Sequence, residues 1–343
     1  MEIKKSYGRN LLISHIADND GLGAPILCGL VYLEKQNDVA LIEFEELHEF
    51  VERLLNYKLG NDYCNYRNYK NIYIVDVSIS EKTAKLINKN SVLRKKLLYF
   101  DHHKPNYNAS KYPFVNMVYL SNGIKPSGTS IFYNYLLNKY PEENILRTTK
   151  VMEFVEAVRN YDTFGHKING NMTGKYLTDL VFAIGRKEFI RKYKNELLND
   201  PNQHLTFSDY DKEYIIDVEM KEKEYVDDCD KNLIRMEING NNVGVLISDK
   251  FRSTVGNDLS ERHKDELAYI LIVDPKRERF SLRTVNDIDL SLIAKSISPS
   301  GGGIKKAAGT TFDIYSKQLL EKIIEQAKKE GKDKDIKSRV YSL

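Results

Sequence analysis

Leu97-Leu98-Tyr99-Phe100-Asp101-His102-His103 is a short apolar run that ends abruptly in an acid and two imidazoles. The same grammar occurs twice upstream: Leu11-Leu12-Ile13-Ser14 runs into His15-Ile16-Ala17-Asp18-Asn19-Asp20-Gly21, and Ile72-Tyr73-Ile74-Val75 runs into Asp76. A short apolar run bounded by polar residues reads as a buried strand. Val39 to Ile42 and Phe114 to Tyr119 read likewise, and Ala24 to Glu34, Glu45 to Tyr57, Glu81 to Asn88 and Ser127 to Asn138 read as helices between them. Alternation of helices with continuously apolar strands predicts an α/β domain built on a doubly wound parallel sheet. Ligands of such sheets sit beyond the carboxyl ends of the strands, so these acids and histidines can meet although they are far apart in sequence.

Farther along, the pattern breaks at Asn199-Asp200-Pro201-Asn202, and a charged helical stretch follows from Ser208 to Arg235, closing at Asn239-Gly240-Asn241. Val243 to Ile247, Leu267 to Val273 and Arg279 to Thr284 then read as strands, the last two forming a hairpin across Asp274 and Pro275. The expected organisation is a first α/β domain over residues 1–200, a linker helix over 201–239 and a smaller α/β domain over 240–343. The tail from Gly331 reads as a solvated terminus.

Composition bounds the function. The chain has 343 residues, 41% hydrophobic and 29% charged, ordinary for a globular protein. No apolar run approaches a bilayer span, and the charged start followed by only Leu11-Leu12-Ile13 does not read as a signal peptide, so a cytoplasmic protein without membrane partner is expected. Three cysteines, Cys28, Cys64 and Cys229, are too scattered for a disulfide framework or a cysteine zinc site. The net charge of +3 does not announce a duplex-binding protein. The excess lies toward the C-terminus, with 19 Lys/Arg against 15 Asp/Glu from residue 241 onward.

A pocket of carboxylates and imidazoles repels itself unless a cation fills it. Mixed carboxylate and imidazole ligands without thiolate suit Mn²⁺, with Mg²⁺, Co²⁺ or Fe²⁺ as alternatives. Asp162, after a helix predicted over Arg147 to Val158, can join the same crevice. Taken singly, each residue has a plainer reading: Asp18, Asp20 and Asp76 serve equally well as turn and cap residues, and the His102-His103 pair as a surface accident. Caps do not explain two histidine-bearing loops on one sheet edge.

Together, the His15, Asp18, Asp20 loop, lone Asp76, the Asp101-His102-His103 triplet and Tyr161-Asp162-Thr163 resemble, in order and spacing, the DHH phosphoesterase family. The resemblance implies a doubly wound catalytic domain and two divalent metal ions. His15, Asp18 and Asp76 would hold one; Asp20, Asp76, His102 and Asp162 would hold the other, with Asp76 shared. Asp101 would orient His102 from behind, and His103 would contact the scissile phosphate. Gly301-Gly302-Gly303-Ile304-Lys305-Lys306 resembles the glycine-rich signature of the family's C-terminal substrate domain (the DHHA1 domain), and Ser281-Leu282-Arg283-Thr284 its arginine-bearing strand. Relatives usually carry histidine where this chain has Ile304, so Lys305 or Lys306 would compensate, or the substrate differs. Ser253-Thr254-Val255-Gly256-Asn257 adds Asn257 as a substrate contact, and Ser127-Gly128-Thr129-Ser130 offers a helix start that either binds an anion or is a plain cap.

The expected reaction is metal-assisted hydrolysis of a phosphodiester, with no nucleophilic side chain. The partner is a short single-stranded RNA oligonucleotide or a linear dinucleotide. A cyclic dinucleotide or single-stranded DNA is the alternative within the class, and a catalytically inactive nucleotide-binding module the alternative outside it. A homodimer is compatible with the sequence.

Overall fold

The computed structural model describes residues 9–16, 18–32, 36–56, 65–105, 107–120 and 123–332. Cys64 and the tail after Lys332 lie outside the described residues. The described residues form two compact units that divide between Val218 and Glu219.

Five strands make the sheet of the first unit: β1 (Asn10–His15), β2 (Asn37–Ile42), β3 (Asn71–Val75), β4 (Leu97–Asp101) and β5 (Val115–Met117). They pair in the order β2-β1-β3-β4-β5, all parallel, so the chain switches direction across the sheet beside β1. The unbroken apolar strands resolve into period two. Leu12, Tyr73, Val75 and Phe100 face one core, while Leu11, Ile13, Ile72, Ile74 and Tyr99 face the other. Helices α1 (Asn19–Val31), α5 (Gly128–Lys139), α6 (Thr149–Asp162), α8 (Thr173–Ile184) and α9 (Arg186–Glu196) cover the first face. Helices α2 (Leu47–Leu55), α3 (Glu81–Lys89) and α4 (Ser91–Lys96) cover the second. The single turn α7 (His166–Asn169) lies in the segment after α6.

Almost every residue of α1 is buried, which explains why it shows no amphipathic stripe. Pro25 lies inside it and has no N–H to give the Gly21 carbonyl. Ser14 Oγ donates to that oxygen instead, at 2.6 Å, and so ties the start of α1 to the end of β1.

Helix α10 (Asp209–Lys231) runs across the division between the units, with Ile215 in the first unit's core and Val226 in the second's. It ends sooner than the sequence suggests. Ile234–Ile238 is strand β6, joined to β7 (Asn241–Ile247) by Asn239 and Gly240 at φ 52° and 76°. Positive φ at both residues is the geometry of a tight hairpin, so Asn-Gly marks a turn and not a helix end.

Helix α11 (Arg252–Arg262), β8 (Tyr269–Asp274), β9 (Arg279–Arg283), α12 (Leu290–Ile297), β10 (Gly302–Ile304), β11 (Ala307–Thr311) and α13 (Lys317–Lys329) complete the second unit. Its sheet runs β10-β11-β9-β8-β7-β6, parallel only between β7 and β8. The expected hairpin across Asp274 and Pro275 is present as antiparallel β8 and β9. The glycine run is no loose loop: Gly302, Gly303 and Ile304 pair with Gly309, Ala308 and Ala307.

The glycines differ in what they do. A Cβ on Gly301 would lie 2.1 Å from the Ala294 carbonyl of α12, whereas nothing lies within 4 Å of one on Gly302. Gly301→Ala therefore destabilises the protein by about 1–3 kcal/mol, the usual range for overpacking. Gly302→Ala costs clearly less, a contrast that urea unfolding of the two variants checks.

Candidate metal centre

All the first unit's expected ligands lie at the carboxyl ends of β1, β3 and β4 and at the end of α6. His15 is the last residue of β1, and Asp18 caps α1 by accepting the Gly21 N–H at 3.1 Å. The cap reading of Asp18 is therefore true, and compatible with a further role for its other oxygen. Asp76 follows β3 at φ 58°, a left-handed conformation that Asp and Asn tolerate better than other residues with side chains. A Cβ on Gly128 would approach the Asp76 Cβ to 2.6 Å, so the first residue of α5 is glycine where the aspartate passes.

Asp20 is fully buried, and its two carboxylate oxygens accept the Gly128 and Thr129 N–H groups at 2.7 and 2.8 Å. Gly23 makes this approach feasible, since a Cβ there would meet Thr129 Oγ1 at 2.3 Å. The start of α5 is thus an anion site, but the anion is this chain's own carboxylate. Ser127 caps the same helix.

These side chains converge. His102 Nε2 lies 3.5 Å from Asp76 Oδ1, 3.5 Å from Asp162 Oδ2 and 3.9 Å from Asp20 Oδ2. His15 Nδ1 lies 3.7 Å from Asp18 Oδ2 and 3.9 Å from Asp76 Oδ2. Asp76 turns one oxygen toward each histidine. Ligand atoms of His15, Asp18 and Asp76 lie within 4.8 Å of one another, as do those of Asp20, His102 and Asp162. Asp76 Oδ1, His102 Nε2 and Asp162 Oδ2 are buried without any hydrogen-bond partner. Buried polar atoms are nearly always satisfied, so three orphaned ones facing a common point fit a cation. The donor set of carboxylate oxygen and imidazole nitrogen suits a divalent metal.

Electrostatics agree. Burial, then the charges of Asp20, Asp18, Asp162 and Asp101, hold the Asp76 carboxyl well above the ordinary carboxylate range. Burial and neighbouring aspartates do the same to Asp162. Burial, with neighbouring His103, pushes His102 below the usual histidine value and favours the neutral imidazole that a metal needs.

Asp101 differs from its expected part. Its Oδ1 accepts the backbone N–H groups of His102 and His103 and bonds the ring Nδ1 of His103 at 2.8 Å, while Tyr99 and Ser78 hydroxyls donate to Oδ2. The ring it orients is therefore that of His103; His102 is steered through its main chain, because its Nε2 faces the other carboxylates. Burial works against a charged His103, but the hydrogen bond and charge of Asp101 outweigh it and raise the His103 pKa.

The remaining candidates lie in the second unit. Arg283 Nη2 donates to Ser253 Oγ at 3.3 Å, and its stem packs so closely on α11 that a Cβ on Gly256 would come within 2.6 Å of it. Asn257 follows on that helix. Ile304 and Arg283 both register with Ala307, so they share a sheet face. Ile304 is 63% exposed. Lys305 pairs with Asp287, and Lys306 donates to the carbonyls of Val285 and Asn286, so both ammonium groups already have partners. Among the described residues, Cys28 and Cys229 are free, and no helix is long and apolar enough to cross a membrane.

No protein-family model matches the chain. It is 29% identical over 257 residues to oligoribonuclease NrnB of Bacillus subtilis (strain 168), a match covering 73% of this chain and 62% of that protein's length. RecJ of Thermus thermophilus, solved with Mn²⁺, overlays 93% of this chain on 51% of its own at a TM-score of 0.52 and 15% identity. The pGpG-specific phosphodiesterase PggH of Vibrio cholerae overlays 92% on 97% at 0.47 and 13%. Fold and site define a two-unit α/β protein whose parallel sheet gathers carboxylates and imidazoles at one rim. The residues gathered there are those by which the sequence resembles the DHH phosphoesterase family.

Because the raised carboxyl pKa values of Asp76 and Asp162 belong to the folded state, their stabilising contribution is present at low pH and is lost as pH rises through those values. Asp76→Asn keeps the left-handed backbone and removes one buried charge. The chelator-treated variant is thus expected to melt higher than the chelator-treated parent at pH 8, with a difference that shrinks toward pH 4. Thermal melts with and without a divalent cation check this, the cation being expected to stabilise the parent more than the variant.

Proposed function

We propose that this protein is a metal-dependent phosphodiesterase that hydrolyses short RNA oligonucleotides or linear dinucleotides to mononucleotides. The observation that carries the reading is the trio of buried, unpartnered atoms, Asp76 Oδ1, His102 Nε2 and Asp162 Oδ2. His15, Asp18 and Asp76 would hold one divalent cation, and Asp20, Asp76, His102 and Asp162 a second. When bound, such cations acidify water and neutralise charge on phosphoryl oxygens. Manganese is the first choice, in line with the Mn²⁺ in the RecJ structure of similar fold.

The chain's own groups do the rest. His103, half-exposed and bonded to Asp101, offers a proton-bearing nitrogen to a phosphoryl oxygen. Thr129 and Gly128 hold Asp20 still, so a ligand oxygen need not reorganise during turnover. In the second unit Arg283 is the group for a further phosphate, with Asn257 beside it on α11, next to a shelf of small residues at Gly302, Gly309 and Ala307. Ile304 presents an apolar side chain on that shelf, suited to the face of a base or sugar. Residues 1–200 would thus carry the chemistry and 240–343 substrate recognition. The NrnB relative is named an oligoribonuclease, which supports RNA as substrate.

Turnover assays on a dinucleotide, a short RNA, single-stranded DNA and a cyclic dinucleotide, each with Mn²⁺ and with chelator, test the reading. Mononucleotide release from RNA or dinucleotide with Mn²⁺ alone is expected. Asp76→Asn and His102→Ala lower it by more than about 100-fold, beyond what loss of a supporting contact produces, while Arg283→Ala acts mainly on KM. Preferred turnover of the DNA or the cyclic compound would reassign the substrate, and release in chelator would refute the metal chemistry. Ile304→His is expected to raise dinucleotide turnover.

A further inference from the structure

We infer that Glu43 is a positioning residue for His15: its carboxylate holds the imidazole in the tautomer that leaves Nδ1 free for a cation. The inference rests on the metal-centre reading proposed above. Sequence patterning gives Glu43 no prominence, since it opens the acidic stretch Glu43-Phe44-Glu45-Glu46 that reads as a solvated helix start. Register gives it a place. β2 lies beside β1 with Ile42 opposite His15, so the residue after Ile42 stands at the same carboxyl rim as the cluster.

The imidazole of His15 lies between two sets of carboxylates. Nδ1 faces Asp18 and Asp76 at 3.7 and 3.9 Å, and Nε2 faces Glu43 Oε2 at 3.6 Å. A neutral imidazole has one N–H and one lone pair. With the proton on Nδ1, the lone pair of Nε2 would confront the Glu43 carboxylate, and the ring would offer nothing to a cation beside Asp18 and Asp76. With the proton on Nε2, the N–H meets Glu43, and the Nδ1 lone pair joins the oxygens of Asp18 and Asp76. With a cation between Nδ1 and the oxygens of Asp18 and Asp76, only the second arrangement satisfies both sides. Contacts of this kind are commonly long before the ligand is in place and tighten with it.

The main chain on both sides of the contact is already fixed. The Ile16 N–H donates to the Ile42 carbonyl at 3.1 Å, and the Glu43 N–H to Glu46 Oε2 at 2.8 Å. Glu43 is set apart from Asp18 and Asp76 by the nitrogen it faces, Nε2 and not Nδ1; its side chain is half-exposed, as is that of Asp18, whereas Asp76 is buried. An exposed carboxylate behind a metal-binding histidine acts through the histidine, fixing ring orientation and raising basicity, and its loss typically weakens metal affinity by about 10–100-fold.

The test is Mn²⁺ affinity, by calorimetry and by the electron paramagnetic resonance signal of free Mn²⁺, for the parent, Glu43→Ala, Glu43→Gln and Asp76→Asn. Melts in chelator establish that each variant is folded. Glu43→Ala is expected to bind Mn²⁺ about 10–100-fold more weakly, and Glu43→Gln to stay within roughly threefold of the parent, because its amide oxygen still accepts from Nε2–H. Unchanged affinity in Glu43→Ala would overturn the inference, and so would Glu43→Gln as weak as Glu43→Ala, since charge or direct ligation would then be at work. If Asp76→Asn bound Mn²⁺ like the parent, the metal-centre reading itself would fall, an outcome distinct from failure of Glu43 alone.

Discussion

Asp20, Asp76 and the buried Oδ2 of Asp162 lie within reach of one imidazole, and like charges so close cannot all persist in a low-dielectric interior without a counter-charge. The first unit is organised around confining this repulsion. Asp20 is pinned by the N–H groups at the start of α5, Asp18 by the start of α1, and Asp76 by a left-handed turn pressed against Gly128. Neither Asp20 nor Asp76 can swing into solvent without breaking a helix start or a strand end, and the half-exposed Asp18 is held by its cap bond. The fold thus holds ready the charge that a cation would relieve.

The packing that allows this is close and local. Gly23 admits Thr129, Gly128 admits Asp76, and Ser14 takes the carbonyl that Pro25 leaves unbonded. A methyl group at either glycine would displace a candidate ligand through contacts that are structural and not chemical. The second unit uses its glycines differently: Gly301 seats α12, while Gly302 and Gly303 form an edge strand beside β11. The run of three glycines therefore contains two positions where a side chain would clash, Gly301 against α12 and Gly303, at φ 135°, against Ala307 and Ala308 of β11, and one, Gly302, that is open.

Much of this was legible in the sequence. The five strands of the first sheet and the helices that alternate with them stand where periodicity put them, and the six acids and histidines singled out by motif order lie together at one rim. Apolar runs that end in acids carry a strong signal, because burial on both faces dictates their composition and the crevice dictates their ends. The second unit was less legible. Strand β6 was hidden at the end of a charged helical stretch, since only two of its five residues, Ile234 and Ile238, are buried. Asn239-Gly240 was a hairpin signal that the preceding helix pattern obscured. Strands β10 and β11 are made mostly of glycine, alanine and threonine, which carry too little hydrophobic contrast to show a period.

The sequence by itself determined the doubly wound sheet and the identity of the residues at its rim, because those depend on local patterning and on chemistry that few residue types can supply. Only the tertiary structure decided which partners they take. Asp101 bonds the ring of His103 and not that of His102, the start of α5 is filled by Asp20, Lys305 and Lys306 are already engaged, and Glu43 stands beside His15. The reason is geometric: which atom of an imidazole or carboxylate faces which neighbour depends on strand register and helix approach, and residues separated by dozens of positions acquire that relation only when the sheet is assembled.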